Sequence, residues 1–190
     1  MRARAAARSL LIVALGVGAS SPGACAESAL TPLLKPLTLV EYASRTVPPD
    51  FSGATEDARP ISLAALSGHV VLVNFWASWC AECRPEMPML DQLHRELSPR
   101  GLIVLGVNAR EDAGAVRRYA RELHLTFPLV MDRNGRINTL YGVVGLPTTF
   151  VVGRDGRAVA FGVGARDWGG SSARGLLDAL LAEPAPPRAP

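Results

Sequence analysis

Two cysteines, Cys80 and Cys83, stand two residues apart in the run Trp79-Cys80-Ala81-Glu82-Cys83. Thiols at this separation can close a short disulfide and reopen it, releasing or taking up two electrons. Residues 69–77 (HVVLVNFWA) are β-branched and aromatic, as a buried strand requires, and residues 81–97 carry Met87, Leu90, Leu93 and Leu97 at helical spacing. The pair therefore falls where a strand hands over to a helix. A helix N-terminus offers unpaired N–H groups and partial positive charge, and both favour a thiolate on Cys80. Cys80 is then the attacking sulfur, and Cys83, one turn further in and more covered, the resolving one. A lone C-x-x-C is ambiguous, but between a strand and a helix it reads as a redox pair.

Other uses of two thiols are weaker. A bridge so short in sequence removes little unfolded-state entropy and makes a poor staple. Zinc wants four ligands, or three and a water; there is no second C-x-x-C, and His69, His94 and His124 fall in no ligand spacing. Copper(I) could use both thiolates with Met87 or Met89 nearby. No resident metal and no cofactor is expected.

The elements that must position the pair alternate. Residues 102–108 (LIVLGVN) read as a second buried strand, and 112–123 as a helix through Val116, Tyr119 and Leu123. Residues 127–131 form a short strand, followed by a turn at Asp132-Arg133-Asn134-Gly135. Residues 148–152 and 157–161 flank Gly153-Arg154-Asp155-Gly156 as a hairpin, and Leu176, Leu177, Leu180 and Leu181 mark a helix over 172–181. Parallel β-α-β units followed by an antiparallel hairpin and a closing helix give an α/β fold, a mixed central sheet with helices on both faces. Pro88, inside the helix expected after the cysteines, should kink it.

The chain has 190 residues, 48% hydrophobic and 19% charged, enough for one globular domain with short extensions. Its net charge of +3 comes from Arg2, Arg4 and Arg8; without the first 26 residues, 17 basic residues face 17 acidic ones. No electrostatic footprint for nucleic acid is left, and none is expected as a partner. Residues 1–26 combine that basic start with an apolar run at 10–19 and small residues up to Ala24-Cys25-Ala26. This is the layout of a secretory signal peptide, or of an uncleaved N-terminal anchor that tethers the protein to a membrane. An A-x-A cut after Ala26 discards Cys25; the alternative is lipidation of Cys25, although Pro22 stands where a lipoprotein signal prefers a Leu-like residue. Either route leads outside the cytoplasm, to a bacterial periplasm or the outer face of a membrane. Residues 27–46 show no clear period and read as a linker or an extension packed on the domain. Residues 47–183 form the domain, and the proline-rich 184–190 (PAPPRAP) a disordered tail.

The run 75–88 (FWASWCAECRPEMP) resembles the active-site segment of thioredoxin-like proteins, and more narrowly that of the extracytoplasmic TlpA/ResA group of thiol:disulfide reductases. Residues 145–152 (GLPTTFVV) resemble that group's second signature, and Phe51, Ile61-Ser62-Leu63 and 68–76 fit the same pattern. The likeness runs from about residue 48 to 181.

The resemblance implies a thioredoxin-like fold and a cis bond before Pro147, which packs beside the redox-active Cys80–Cys83 disulfide. Leu146, Pro147 and Thr148, with Trp79 next to the nucleophile, would line the surface where an extended substrate segment pairs as an added strand. Trp76 is read as core packing. Where thioredoxin has a buried acid, this chain has Asn74, which cannot carry a proton. Glu86 matches an acid that ResA-like members place near the site and would shuttle the proton of Cys83; the plainer alternative is a solvated helix glutamate. Glu82 opposes thiolate formation and Arg84 favours it. The group's chemistry implies reduction of protein disulfides, such as apocytochrome c or copper-site thiols of oxidase assembly, in cytochrome c maturation or copper-oxidase assembly. Electrons would come from a membrane thiol-transfer protein of the DsbD or CcdA type. Thr148 stands where CcmG-type reductases carry Glu. The rivals are a copper(I)-delivery module, although Sco-type chaperones space their cysteines one residue wider; a DsbA-like oxidant; and a peroxiredoxin, whose Thr-x-x-Cys is Ala77-x-x-Cys80 here.

Overall fold

The computed structural model describes residues 28–186. The signal or anchor expected at 1–26, including Cys25, lies outside them, as do the last four residues of the tail. Among the described residues the helices are α1 (Thr31–Leu34), α2 (Glu86–Leu97), α3 (Ala113–Glu122), α4 (Arg136–Leu140) and α5 (Ser171–Ala182). The strands are β1 (Val40–Thr46), β2 (Ser52–Ala54), β3 (Pro60–Ser62), β4 (Val70–Trp76), β5 (Leu102–Ala109), β6 (Leu129–Asp132), β7 (Thr148–Val152) and β8 (Ala158–Val163). No described helix is long and apolar enough to cross a membrane.

Six strands form one mixed sheet in the order β1-β8-β7-β4-β5-β6, and β2 and β3 pair as a separate hairpin. β4, β5 and β6 run parallel through the crossovers α2 and α3, while β7, β8 and β1 are antiparallel to their neighbours. Every residue of the central β4 is buried, and its alternation divides the core. Val70, Leu72 and Trp76 face the cluster formed with α1, α2, α3 and α5. Val71, Val73 and Phe75 face Phe51, Leu63, Ile137, Tyr141 and Phe150, beneath α4 and the 51–66 segment. The mixed sheet covered on both faces is the expected architecture.

Gly106 in β5 is set by close approach. A Cβ there would lie 2.9 Å from Trp76 Nε1 and from Leu129 Cδ2, so a larger residue would push the buried Trp76 out of place. Trp76 itself is fully buried and tilts against Tyr119 at 4.9 Å, the core role expected of it.

Of the segment 27–46, the described residues 28–46 do not behave as a linker. Leu34, Leu37 and Leu39 are buried in the α2–α5 cluster, and Leu33 reaches α5 where a Cβ on Gly175 would be 3.5 Å away. β1 then closes the sheet beside β8, from Val40 opposite Phe161 to Thr46 opposite Ala158. Arg45 donates to both carboxylate oxygens of Glu183 at 2.7 and 2.5 Å, fastening the strand to the end of α5. The alternative reading, an extension packed on the domain, describes this segment better. The segment shows no period because a register shift between Glu41 and Thr46 breaks the alternation of β1, and the three leucines sit in a short helical turn and its exit.

The helix expected from residue 81 begins five residues later, at Glu86. Pro85 and Pro88 have no N–H, so the i to i−4 bonds to Ala81 and Arg84 cannot form. The chain instead descends through three-residue turns: Cys83 N donates to Cys80 O at 3.2 Å, and Glu86 N to Cys83 O at 3.2 Å. Pro88 is then the third residue of α2, where its missing N–H would have had no partner within the helix. The hydrogen-bond loss behind the expected kink is therefore absent.

Candidate active site

Three loops meet at the carboxyl end of β4. One runs from Trp76 to Cys83. A second precedes β7, whose first residue Thr148 pairs with Phe75 of β4. The third follows β5, whose Asn108 pairs with Trp76.

Cys80 and Cys83 form a disulfide with Cα atoms 5.3 Å apart. Cys80 is 7% exposed and Cys83 fully buried, which makes Cys80 the sulfur a second molecule can reach. Cys83 N lies 3.1 Å from Cys80 Sγ and donates to it. A backbone donor at that sulfur stabilises its thiolate when the bridge is open. This amide takes the place of the helix N-terminus expected to do so, since α2 starts beyond the pair. The Leu146–Pro147 bond is cis. Leu146 is half-buried against both core clusters, including the one that holds the cysteines, and Pro147 is buried.

Of the residues expected to meet a substrate, Trp79 is 70% exposed. Thr148 is not available in that way: its side chain is buried and its hydroxyl donates to Gly145 O at 2.7 Å, closing the loop around Pro147. Glu82 is exposed between the cysteines. Arg84 pairs with Glu122 and lies 5.5 Å from the centre of the Tyr119 ring, so its charge is already partnered.

Glu86 is completely buried, which rules out the solvated glutamate. Its position at the head of α2 turns the side chain toward the sheet, where Asn74 Nδ2 donates to Oε1 at 2.7 Å and Arg166 N to Oε2 at 3.1 Å. Asn74 also donates to Thr149 Oγ1 at 2.9 Å, its direct neighbour across β4 and β7. Burial pushes the Glu86 carboxyl up from 4.5 to about 7, against the pull of the Arg166 N–H, the Asn74 amide and the Arg166 charge. The indole of Trp168 pulls the same way through proximity, although its Nε1 makes no hydrogen bond of normal geometry. An acid titrating near neutrality, one turn from a thiol, can take and return a proton at working pH. Asn74, in the strand, thus holds by its amide a buried acid that comes from the helix.

Sequence reasoning passed over Arg166, Trp168 and Thr149, which build the Glu86 pocket, and Glu111, which sits in the loop after β5. Glu111 Oε2 accepts from Ser78 N at 2.7 Å and from Asn108 Nδ2 at 2.6 Å, and Oε1 accepts from the Ser78 hydroxyl. A polar residue just past the carboxyl end of a parallel strand was the available signal, because that is where α/β sheets place their sites. Among the described residues no group of three or more His, Cys, Asp and Glu side chains could hold a metal ion.

Residues 45–160 match the AhpC/TSA family, well over half of the chain. The chain belongs to the AhpC/TSA family. The chain is 32% identical over 111 residues to the thiol-disulfide oxidoreductase ResA of Bacillus thuringiensis subsp. konkukian, covering 58% of this chain and 64% of that one. It is 40% identical over 111 residues to the thioredoxin-like protein YneN of Bacillus subtilis, covering 57% and 64%. The chain thus spans less than two thirds of the length of these curated relatives. Among solved structures, a putative thiol:disulfide interchange protein DsbE from Chlorobium tepidum superposes with a TM-score of 0.67 at 29% identity, over 73% of this chain and 97% of that one. The fold is thioredoxin-like, as the two sequence signatures implied.

Proposed function

We propose that this protein is an extracytoplasmic thiol:disulfide oxidoreductase that reduces disulfides in client proteins. The observation that carries the reading is the reachable Cys80, bridged to a buried Cys83, with the Leu146–cis-Pro147 loop packed against the same cluster. The Cys80 thiolate attacks a client disulfide, forming a Cys80–client bond and releasing the other client sulfur as a thiolate. Cys83 gives its proton to Glu86 and attacks Cys80 Sγ; the first client sulfur leaves, and the client has gained two electrons. Trp79 and the backbone at Leu146 receive the client segment. Clients of the apocytochrome c or copper-site kind, in cytochrome c maturation or copper-oxidase assembly, and reloading by a DsbD- or CcdA-type membrane protein, follow from the family resemblance. So does a periplasmic or membrane-facing location, with residues 1–26 as signal or anchor and Cys25 as a lipidation point if it is retained.

The deciding experiment is the reduction potential of the Cys80–Cys83 couple. A value well below about −220 mV supports a reductant, and one near about −120 mV replaces it with an oxidant of secreted thiols.

A further inference from the structure

The residues between β4 and Cys80 are held by a side chain from another loop. Trp76, at the end of β4, pairs with Asn108 of β5, and Glu111, three residues on, returns to Ser78. The two outgoing loops are therefore cross-linked through one carboxylate, with donors from the Ser78 backbone, the Ser78 hydroxyl and the Asn108 amide. Hydrogen bonds to an ionised acceptor are about twice as strong as neutral ones. No lysine or arginine forms an ion pair with Glu111 among the described residues, so what the carboxylate holds is this loop. Asn108 is fully buried, which seats the clamp on the sheet itself.

Trp79 follows Ser78 directly. Its side chain is 70% exposed and stacks on no other ring among the described residues. A large indole on a free loop gains by folding back onto apolar surface. Here it is fixed on both sides: Ser78 by Glu111, and Cys80 by donation of its N–H to Ala77 O at 3.1 Å.

We propose that Glu111 is a positioning residue that holds Trp79 outward beside Cys80 as a preformed contact for a protein client. The inference rests on thiol–disulfide exchange at Cys80. Preorganisation of this kind helps a large partner, whose binding would otherwise have to order the loop. It matters less to a small disulfide that touches only the sulfur.

The test is single-turnover oxidation of the pre-reduced protein by insulin, a protein disulfide, and by oxidised glutathione, with amide exchange at Ser78 followed in parallel. Glu111→Ala should slow the insulin reaction about tenfold, mainly by raising the half-saturating concentration, and the glutathione reaction by less than about threefold. The Ser78 amide should exchange at least about tenfold faster. Glu111→Gln, which keeps an oxygen acceptor for Ser78, should recover most of the insulin rate. Ser78→Ala, which loses only the hydroxyl, should show a smaller loss in the same direction and serves if Glu111→Ala fails to fold. Equal losses against both oxidants, or an unchanged insulin reaction with a faster-exchanging Ser78 amide, would overturn the proposal. If neither oxidant reacts with the wild-type dithiol, thiol exchange itself fails and takes this inference with it.

Discussion

Glu86 and Glu111 both serve the loop that carries Cys80 and Cys83, one from the first residue of α2 and the other from the loop after β5. Glu86 is sealed in the core with two donors, Asn74 Nδ2 and Arg166 N, too few to make up for the water it has lost, and its carboxyl rises to about 7. Glu111 is only half-buried and takes three donors, two of them from Ser78. The same side chain is thus an acid titrating near neutrality in one place and an acceptor for loop backbone in the other. Burial against donor supply separates the two uses, and neither is written in the residue type.

The comparison can be broken or sharpened in four ways, beginning with the largest effect. Cys83→Ala should reduce turnover to background and accumulate a Cys80–client mixed disulfide, visible on a non-reducing gel. Accumulation in Cys80→Ala instead would exchange the two sulfur roles and remove the reason for placing Glu86 beside the resolving one. Next comes Glu86→Gln. Because the folded carboxyl titrates near 7 and the unfolded one near 4.5, the folded state holds the proton longer, and stability falls as pH rises across that interval. The loss levels off above about pH 7 at about 3 kcal/mol. In Glu86→Gln this slope should vanish in urea unfolding curves taken from pH 4 to 8; a persistent slope would assign it to another group.

A smaller effect is expected from Asn74→Ala, which leaves the Glu86 carboxylate with the Arg166 N–H alone. Its titration, followed by carboxyl infrared bands, should move up by about one unit. A downward move would mean that water entering the space solvates the charge better than the amide did. Smallest is Asp112→Ala. Asp112 is the immediate neighbour of Glu111, but its carboxylate caps α3 by accepting from Gly114 N and Ala115 N at 2.7 and 2.9 Å. Its loss should lower stability by about 1 kcal/mol, read as a drop in Tm, with no change in exchange rate. A marked fall in rate would show that the loop after β5 tolerates no slack, and that Glu111 is not special within it.

Much of this was legible in the sequence, for identifiable reasons. β4 and β5 are buried on both faces and read as nearly continuous apolar runs, β7 reads as a β-branched and aromatic one, and α3 and α5 show clean helical periods. Cys80 and Cys83 stood out because few residue types do their chemistry, whereas the cis bond before Pro147 was implied by the family resemblance alone. α4 was missed because five residues carry no period, and it is organised by the buried Asp132, which accepts from Ile137 N and Asn138 N at 3.1 and 2.8 Å. The start of α2 was displaced by two prolines whose effect is on hydrogen bonds, not on hydrophobic spacing. The client-facing role of Thr148 came from the resemblance of the run 145–152; a hydroxyl that ties off a loop looks the same in sequence as one offered to a client. The pocket around Glu86 joins residues 74, 149 and 166, a set that exists only after the sheet has closed.

The segment before β1 has a mechanical consequence. Arg166 donates through Nη2 to Thr38 O at 3.2 Å, while its own N–H holds Glu86. From the exit of α1 to the buried acid is therefore a path of two hydrogen bonds, through a segment whose leucines are locked into the core. Residues 28–46 are therefore one piece with the body that carries the buried acid, as the tang of a blade is one piece with its edge. Thr38 and Glu86 thus share a common anchor in the one residue Arg166, the first through its guanidinium and the second through its N–H.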